Sequence, residues 1–339
     1  VVSSGASNDG KGAVAARLHE ERRYDFAVRV GGPNAGHTVV DGRGNAYPLR
    51  TIPVAAAVDP ECTLIVGPGS ELDLAVLEGE IRLLEADGHE IAHRLFIDQT
   101  ATVIESHHVL QESSMEHGST QKGIGAARAS RLMRTARLAS DYAGHRITDD
   151  LYLGSVLCDT ADVLGGQSSV LIEGTQGYGL GLHAGYYPHC TSGDCRAIDF
   201  LAQAGLPPQD VETWVVLRTF PIRIAGNSGP LDGEVDWATV GVDPEFTTVT
   251  KKMRRVGLWD MGLARAAVKA NGGGARVRVA LTFADYWWPE LKDADGSWSG
   301  TIPDATMADK IAIVEEHIGA EIVMLGTGPK SQLIKEGSV

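Results

Sequence analysis

Gly5-Ala6-Ser7-Asn8-Asp9-Gly10-Lys11-Gly12 is the segment of this chain whose residue types most directly imply chemistry. Small residues let backbone N–H groups converge on an anion. A helix starting just after them adds partial positive charge, and Lys11 supplies a full one. The spacing matches the phosphate-cradling G-x-x-x-x-G-K loop, with Gly12 standing where such loops carry the Ser or Thr that holds Mg²⁺. The segment points to a phosphate-handling enzyme and away from an ordinary P-loop kinase or ATPase.

Other polar, glycine-rich segments follow strand-like runs. Gly31 to Thr38 (GGPNAGHT) gives backbone access and the side chains of Asn34 and His37. Gly118 to Gly125 (GSTQKGIG) reads as a second anion nest. Glu173 to Gly179 (EGTQGYG), Tyr187 to Ser192 (YPHCTS) and Gly326 to Pro329 (GTGP) complete the set of turns. Thr247 to Arg255 (TTVTKKMRR) is a dense cationic patch in an acidic protein, suited to carboxylates or phosphates. Taken singly, His37 reads as a structural histidine, Gln176 as a turn residue and the Lys/Arg run as a solvated face. Their accumulation at the ends of strands favours function.

The elements that must hold these loops alternate. Strands are expected at Asp25–Val30, Cys62–Val66, Leu95–Ile97, Ser168–Glu173, Trp214–Arg218, Arg276–Thr282 and Glu321–Leu325. A helix is expected over Ala13–Leu18. Another is expected over Ser70–Asp87, capped by Ser70 or Asp73, with Leu72, Leu74, Val76, Leu77, Ile81 and Leu84 as its buried stripe; a late one is expected over Met307–Ile318. This alternation predicts an α/β fold with a mainly parallel central sheet and the phosphate loop after the first strand, with ligands beyond the carboxyl ends of the strands. No linker or repeat interrupts it, so residues 1–339 read as a single domain, with surface excursions at Gly226–Gly233 and Asp293–Gly300.

The net charge of −14 disfavours a nucleic-acid-coating surface, and no apolar run is long enough to span a membrane. Charged residues follow the N-terminus too closely for a secretory leader, and the four cysteines are too irregular for a disulfide framework. A cytoplasmic location is expected, the host cytoplasm if the protein is viral. A zinc site built from His183, His189, Cys190 and Cys195 fits no common spacing.

DGKG (Asp9–Gly12), NAGHT (Asn34–Thr38), EGTQG (Glu173–Gly177), YPHCTS (Tyr187–Ser192), RRVGLWD (Arg254–Asp260) and GTGP (Gly326–Pro329), in that order, resemble the adenylosuccinate synthetase family over nearly the whole chain. The resemblance implies a ligase that joins L-aspartate to C6 of a purine nucleotide. The γ-phosphoryl group of a nucleoside triphosphate first moves to the purine O6, and the aspartate amine then displaces phosphate. It implies catalytic roles for Asn8, Lys11, His37 and Gln176, His37 stabilising the transferring phosphoryl group and Gln176 contacting the 6-oxo group. The monophosphate nucleotide would meet Ser7, Asn34, Thr120, Arg134, Gln176, Thr191 and Lys252, with Arg134 reaching across a homodimer. The triphosphate would meet Asp9, Gly10, Lys11, Gly12, Gly36, His37, Thr38 and Arg254, and its base Asp285, Gly328 and Pro329. Aspartate would be gripped by Thr248, Val249, Thr250, Lys252 and Arg254. Mg²⁺ is the implied cofactor, at Asn8 and Gly36.

Three positions depart from the usual pattern. Ser7-Asn8-Asp9 stands where the usual members have Gly-Asp-Glu, so that Asn8 replaces the Asp that serves as base and metal ligand, and either a shifted register lets Asp9 or Ser7 enter or the chemistry is tuned to another purine; Lys252 replaces an Arg on the aspartate loop, and Phe283 replaces a Lys at the guanine pocket. Asn8 cannot act as a base and is a weaker hard-cation ligand. VTKKMRR (Val249–Arg255) is similar to the viral 2-aminoadenylosuccinate synthetases, the branch that uses dGMP, and loss of the cation at Phe283 makes ATP or dATP the expected donor. The alternatives are an ordinary IMP- and GTP-using synthetase, a P-loop nucleotide kinase, and a nucleotide-binding protein without catalysis.

Overall fold

Val-Leu-Ile-Glu, Phe-Ala-Val-Arg and Thr-Leu-Ile-Val are apolar runs each ending at a point where the chain must turn, and all three form strands. The computed structural model describes residues 1–3, 9–114, 119–165, 169–246, 252–299 and 305–339. The chain divides into two compact units. One comprises residues 1–14, 176–197 and 210–339, the other residues 15–175 and 198–209.

The first unit is built on a six-stranded sheet in the order Val2–Ser3, Thr213–Arg218, Val277–Thr282, Ile322–Gly326, Gln332–Lys335, Gly296–Trp298. Every pairing is parallel except that of 322–326 with 332–335. All residues of Thr213–Arg218 are buried, as a central parallel strand covered on both faces requires. Asp260 caps the helix Met261–Ala270 by accepting the Leu263 N–H at 2.8 Å. A small antiparallel sheet joins Ile222–Arg223 and Glu234–Val235 to Arg255–Gly257 around Phe220, Trp237 and Val256.

The second unit carries a five-stranded, wholly parallel sheet in the order Val170–Glu173, Phe26–Arg29, Thr63–Val66, Leu95–Asp98, Leu157–Cys158. The hairpin His37–Val40 and Ala46–Leu49 follows the strand Phe26–Arg29. The expected α/β class with mainly parallel strands is present.

Two local expectations shift. The helix predicted from Ser70 begins at Leu74, because Glu71–Leu72 pairs with Thr102–Val103 as a short strand. Asp73 is the cap, accepting the Ala75 and Val76 N–H groups at 3.0 and 3.2 Å. The stretch Asp293–Gly300, expected as a loop, contains the strand Gly296–Trp298, paired with Leu333–Lys335. Gly296 takes φ +126°, which hid the strand from a propensity reading.

Candidate active site

In the first unit the chain at Asp9 and Gly10 is pinned from the sheet. The Thr282 hydroxyl, at the carboxyl end of its strand, donates to the Asp9 carbonyl at 2.7 Å. Gly10 has φ +85°, and a Cβ there would lie 2.9 Å from Thr282 Cγ2, so only glycine fits. The helix Lys11–Arg22 begins immediately afterwards, with no acidic residue in its first turn to compete for an anion. Asp9, Lys11 and Gly12 are buried.

Gln176 is half-buried and takes φ +52°, a backbone state uncommon outside glycine. Thr191 is half-buried, its N–H donating to the Leu180 carbonyl at 2.7 Å. Gly328 lies against the loop before Gly296: a Cβ on it would meet Asp293 Oδ1 at 2.7 Å. Asp285 sits in a short 3₁₀ turn, half-buried, and burial pushes its carboxyl above the ordinary range. The neighbouring Phe283 has φ +59°, its carbonyl accepting from the Thr219 hydroxyl at 2.8 Å. Its ring carries Arg218 at 3.8 Å from the centroid, and Phe220 and Tyr286 pack beside it.

The described part of the basic run, Lys252 to Arg255, is not a uniform patch. Arg254 is buried, which lowers its guanidinium pKa, and its N–H donates to the Glu245 carbonyl at 2.7 Å. Arg255 is committed to Glu234, with Nε 2.7 Å from Oε1, and to the Gly229 carbonyl at 2.7 Å. Lys252 is exposed. Arg218 pairs with Glu245.

In the second unit Gly31 takes φ +121°, and a Cβ there would clash with Thr175 Oγ1 at 2.2 Å. The turn it opens carries Asn34, half-buried, and Gly36, exposed, and leads into buried His37 and exposed Thr38. Arg29 Nη2 donates to the Ala35 carbonyl at 2.7 Å and Arg29 Nε to the Arg50 carbonyl at 3.0 Å, which fixes the turn. His37 Nδ1 lies 2.8 Å from Glu173 Oε2, and Arg29 Nη1 lies 3.2 Å from the same oxygen. Glu173 Oε1 accepts the Val54 N–H at 2.7 Å. Burial by itself would raise the Glu173 carboxyl, but the bonds from His37, Arg29 and Val54 hold it below the usual range.

The second predicted anion nest is filled from within. The Glu112 carboxylate accepts from the Gly123, Gly125 and Ala126 N–H groups at the start of the helix Ile124–Leu132, and from the Ser119 hydroxyl at 3.1 Å. A glycine-rich signature cannot reveal that a carboxylate eleven residues upstream of Gly123 already neutralises it. Thr120 is exposed. Arg134, exposed at φ +64°, follows exposed Leu132 and Met133.

Ser7, Asn8, Thr248, Val249 and Thr250 lie outside the described residues. Of the two expected Mg²⁺ ligands, Asn8 would offer an amide oxygen, and the Gly36 carbonyl oxygen is a hard donor of the kind Mg²⁺ takes, on an exposed residue. Among the described residues, the His/Cys/Asp/Glu groupings close enough for a metal are His19–Asp59–Cys62 and Glu105–His107–His108, neither of them among the expected site residues.

Arg29, Glu173 and Thr282 were not singled out as site residues from sequence. A signal existed: Arg29 and Glu173 are charged residues closing apolar strands, where burial demands a partner.

The adenylosuccinate synthetase family model matches residues 1–153 and 146–287. The adenylosuccinate synthetase of Methanococcus maripaludis is 34% identical over 97% of this chain and 96% of its own length. That of Pyrococcus horikoshii is 32% identical over 98% and 96%. Among solved structures, the succinoaminodeoxyadenylate synthetase PurZ of cyanophage S-2L, bound to dGMP and to dATP as an energy donor, superposes with a TM-score of 0.80. It is 29% identical over 97% of this chain and 92% of that one. The adenylosuccinate synthetase of Plasmodium falciparum shares the fold, with a TM-score of 0.81 at 19% identity over 99% of each chain.

Proposed function

Because the chain belongs to the adenylosuccinate synthetase family, and is thereby a carbon–nitrogen ligase acting on purine nucleotides, we propose that it joins L-aspartate to C6 of dGMP, giving 2-amino-2′-deoxyadenylosuccinate, with ATP or dATP as energy donor. The observation that carries this reading is Asn8 in place of the family's Asp, within a loop that keeps Gly10, Lys11 and Gly12. Guanine carries a 2-amino group beside N1, and a short neutral side chain leaves room for it. The VTKKMRR run and the likeness to PurZ, whose structure holds dGMP and dATP, support the same substrate. Phe283 supports the donor: its ring lies against Arg218, Phe220 and Tyr286, and offers no cation to a guanine oxygen.

The reaction runs in two displacements. The purine O6 attacks the γ-phosphorus as N1 gives up its proton to solvent, Asn8 offering no base for it, and the nucleoside diphosphate leaves. The unprotonated aspartate amine then attacks C6 and sheds a proton to solvent, and O6 departs with the phosphoryl group as phosphate. Lys11 contributes a fixed positive charge at the triphosphate, and His37 donates to the phosphoryl oxygens as charge builds on them. Gln176 holds the 6-oxo group. Asn34, Thr120 and Thr191 hold the monophosphate nucleotide, joined by Ser7 and Lys252. Asp285, Gly328 and Pro329 hold the triphosphate's base, and Thr248, Val249, Thr250, Lys252 and Arg254 hold aspartate. The oxygens of Asn8 and Gly36 would hold Mg²⁺, which when bound offsets triphosphate charge. A homodimer is part of the reading, with Arg134 and the exposed side chains Leu132 and Met133 on the shared face.

Single-turnover assays with dGMP and IMP side by side, each with ATP, dATP and GTP, test this. Faster aspartate-dependent phosphate release with dGMP is the expected result. A clear IMP preference replaces the reading with an ordinary synthetase, and phosphoryl transfer without aspartate replaces it with a kinase.

A further inference from the structure

His37 opens the strand His37–Val40 and is buried, but its imidazole still has two side-chain bonds to rotate about, and its two nitrogens differ in what they carry. The structure removes that freedom through Glu173. This carboxylate is fully buried and stands beside Arg29 in the sheet register, so the pair is neutral where a lone carboxylate would be costly. Oε1 is taken by the Val54 N–H at 2.7 Å, leaving Oε2 for His37 Nδ1 at 2.8 Å and Arg29 Nη1 at 3.2 Å. An ionised carboxylate only accepts, so the 2.8 Å contact is a hydrogen bond when Nδ1 carries the proton. Arg29 Nη1, which can only donate, lies 2.6 Å from the same nitrogen, a contact that suits the opposite tautomer. Arg29 has acceptors of its own in Oε2 and the Ala35 and Arg50 carbonyls, which leaves the carboxylate to hold Nδ1–H.

We propose that Glu173 is the positioning residue of His37: its carboxylate, anchored by Val54 and balanced by Arg29, holds Nδ1–H and so directs the opposite ring nitrogen, Nε2, to the transferring phosphoryl group. Glu173 acts through His37 and does not touch substrate. Arg29 serves the same arrangement from the other side, tying the Ala35 carbonyl so that the turn and the ring are fixed as one piece. The inference rests on the reading of His37 given above.

A double-mutant cycle tests it. Glu173→Gln is expected to lower kcat about 10- to 100-fold, with KM for both nucleotides within about threefold. In a His37→Ala background the same substitution is expected to cost less than about twofold, because the group it positions is gone. Losses that multiply in the double variant, or a raised KM at unchanged kcat, overturn the proposal. Glu173→Asp, which keeps the charge, should recover part of the loss. If the Glu173 variants do not fold, nitrogen-15 NMR of the histidines in the wild-type protein decides. A proton on His37 Nδ1, assigned by its disappearance in His37→Ala, supports the contact, and a bare Nδ1 accepting from Arg29 refutes it. Wild-type protein that makes no succino-product from dGMP or IMP refutes the proposed function instead, and the NMR signal still decides the Glu173 contact.

Discussion

The hydroxyl of Thr282 reaches the carbonyl of Asp9 at 2.7 Å across a separation of 273 residues, so the end of an interior strand sets the path of the chain where it enters the helix Lys11–Arg22. The same threonine's methyl group bounds the space beside Gly10. Gly10→Ala therefore meets two penalties, a left-handed backbone and a contact at 2.9 Å. Together they should cost roughly 2–4 kcal/mol of stability, read by urea denaturation. Gly10→Ala with Thr282→Ser keeps the hydroxyl and removes the methyl, and should regain about half of that loss. Equal stability of the single and double variants would remove the steric half of this account.

His37→Ala should lower turnover on the order of a hundredfold or more, since one donor to a developing oxyanion is worth about that much. Nucleotide affinity should hold. Steady-state kinetics on the wild type and the variant measure it, and a variant within a few-fold of wild type excludes the role.

The hairpin that begins at His37 turns on Asp41, which is almost wholly buried. Burial would raise its carboxyl, but the Arg43 and Asn45 N–H groups, each 2.8 Å from Oδ1, hold it well below the ordinary range. With the folded pKa depressed, its contribution to stability is complete above the unfolded value of about 3.9 and is lost as pH falls through the folded one. Melting temperature followed from pH 6 down to pH 2 should fall less steeply for Asp41→Asn than for the wild type, from a lower starting value. Parallel curves would show that Asp41 is not the titrating group.

Glu112→Ala leaves the Gly123, Gly125 and Ala126 N–H groups without the carboxylate that serves them. The loss should be about 1–3 kcal/mol, visible as a lower urea midpoint. Glu112→Gln retains an acceptor and should lose less. A larger loss in the glutamine variant would contradict the capping role.

The strand runs were legible in the sequence because apolar periodicity is a local signal. Thr213–Arg218 and Val170–Glu173 fell close to their expected places for that reason. The Glu71–Leu72 strand was not legible, since two residues acquire strand character only from a partner thirty-one positions away, Thr102–Val103. The candidate site divides in the same way. Lys11, His37 and Gln176 announce themselves within short motifs, while the residues that hold such loops in place (Thr282 for Asp9, Glu173 and Arg29 for His37) are remote in sequence and chemically ordinary. The second nest was misjudged because Gly118–Gly125 shows its donors in sequence but not the Glu112 carboxylate that consumes them.

The guanidinium of Arg218 rests 3.8 Å from the centre of the Phe283 ring. Placing lysine at 283 would remove the aromatic face and bring a second cation to an arginine whose carboxylate partner, Glu245, is already engaged. Phe283 and Arg218 therefore form one unit, and an exchange at 283 alone leaves Arg218 without the surface it rests on.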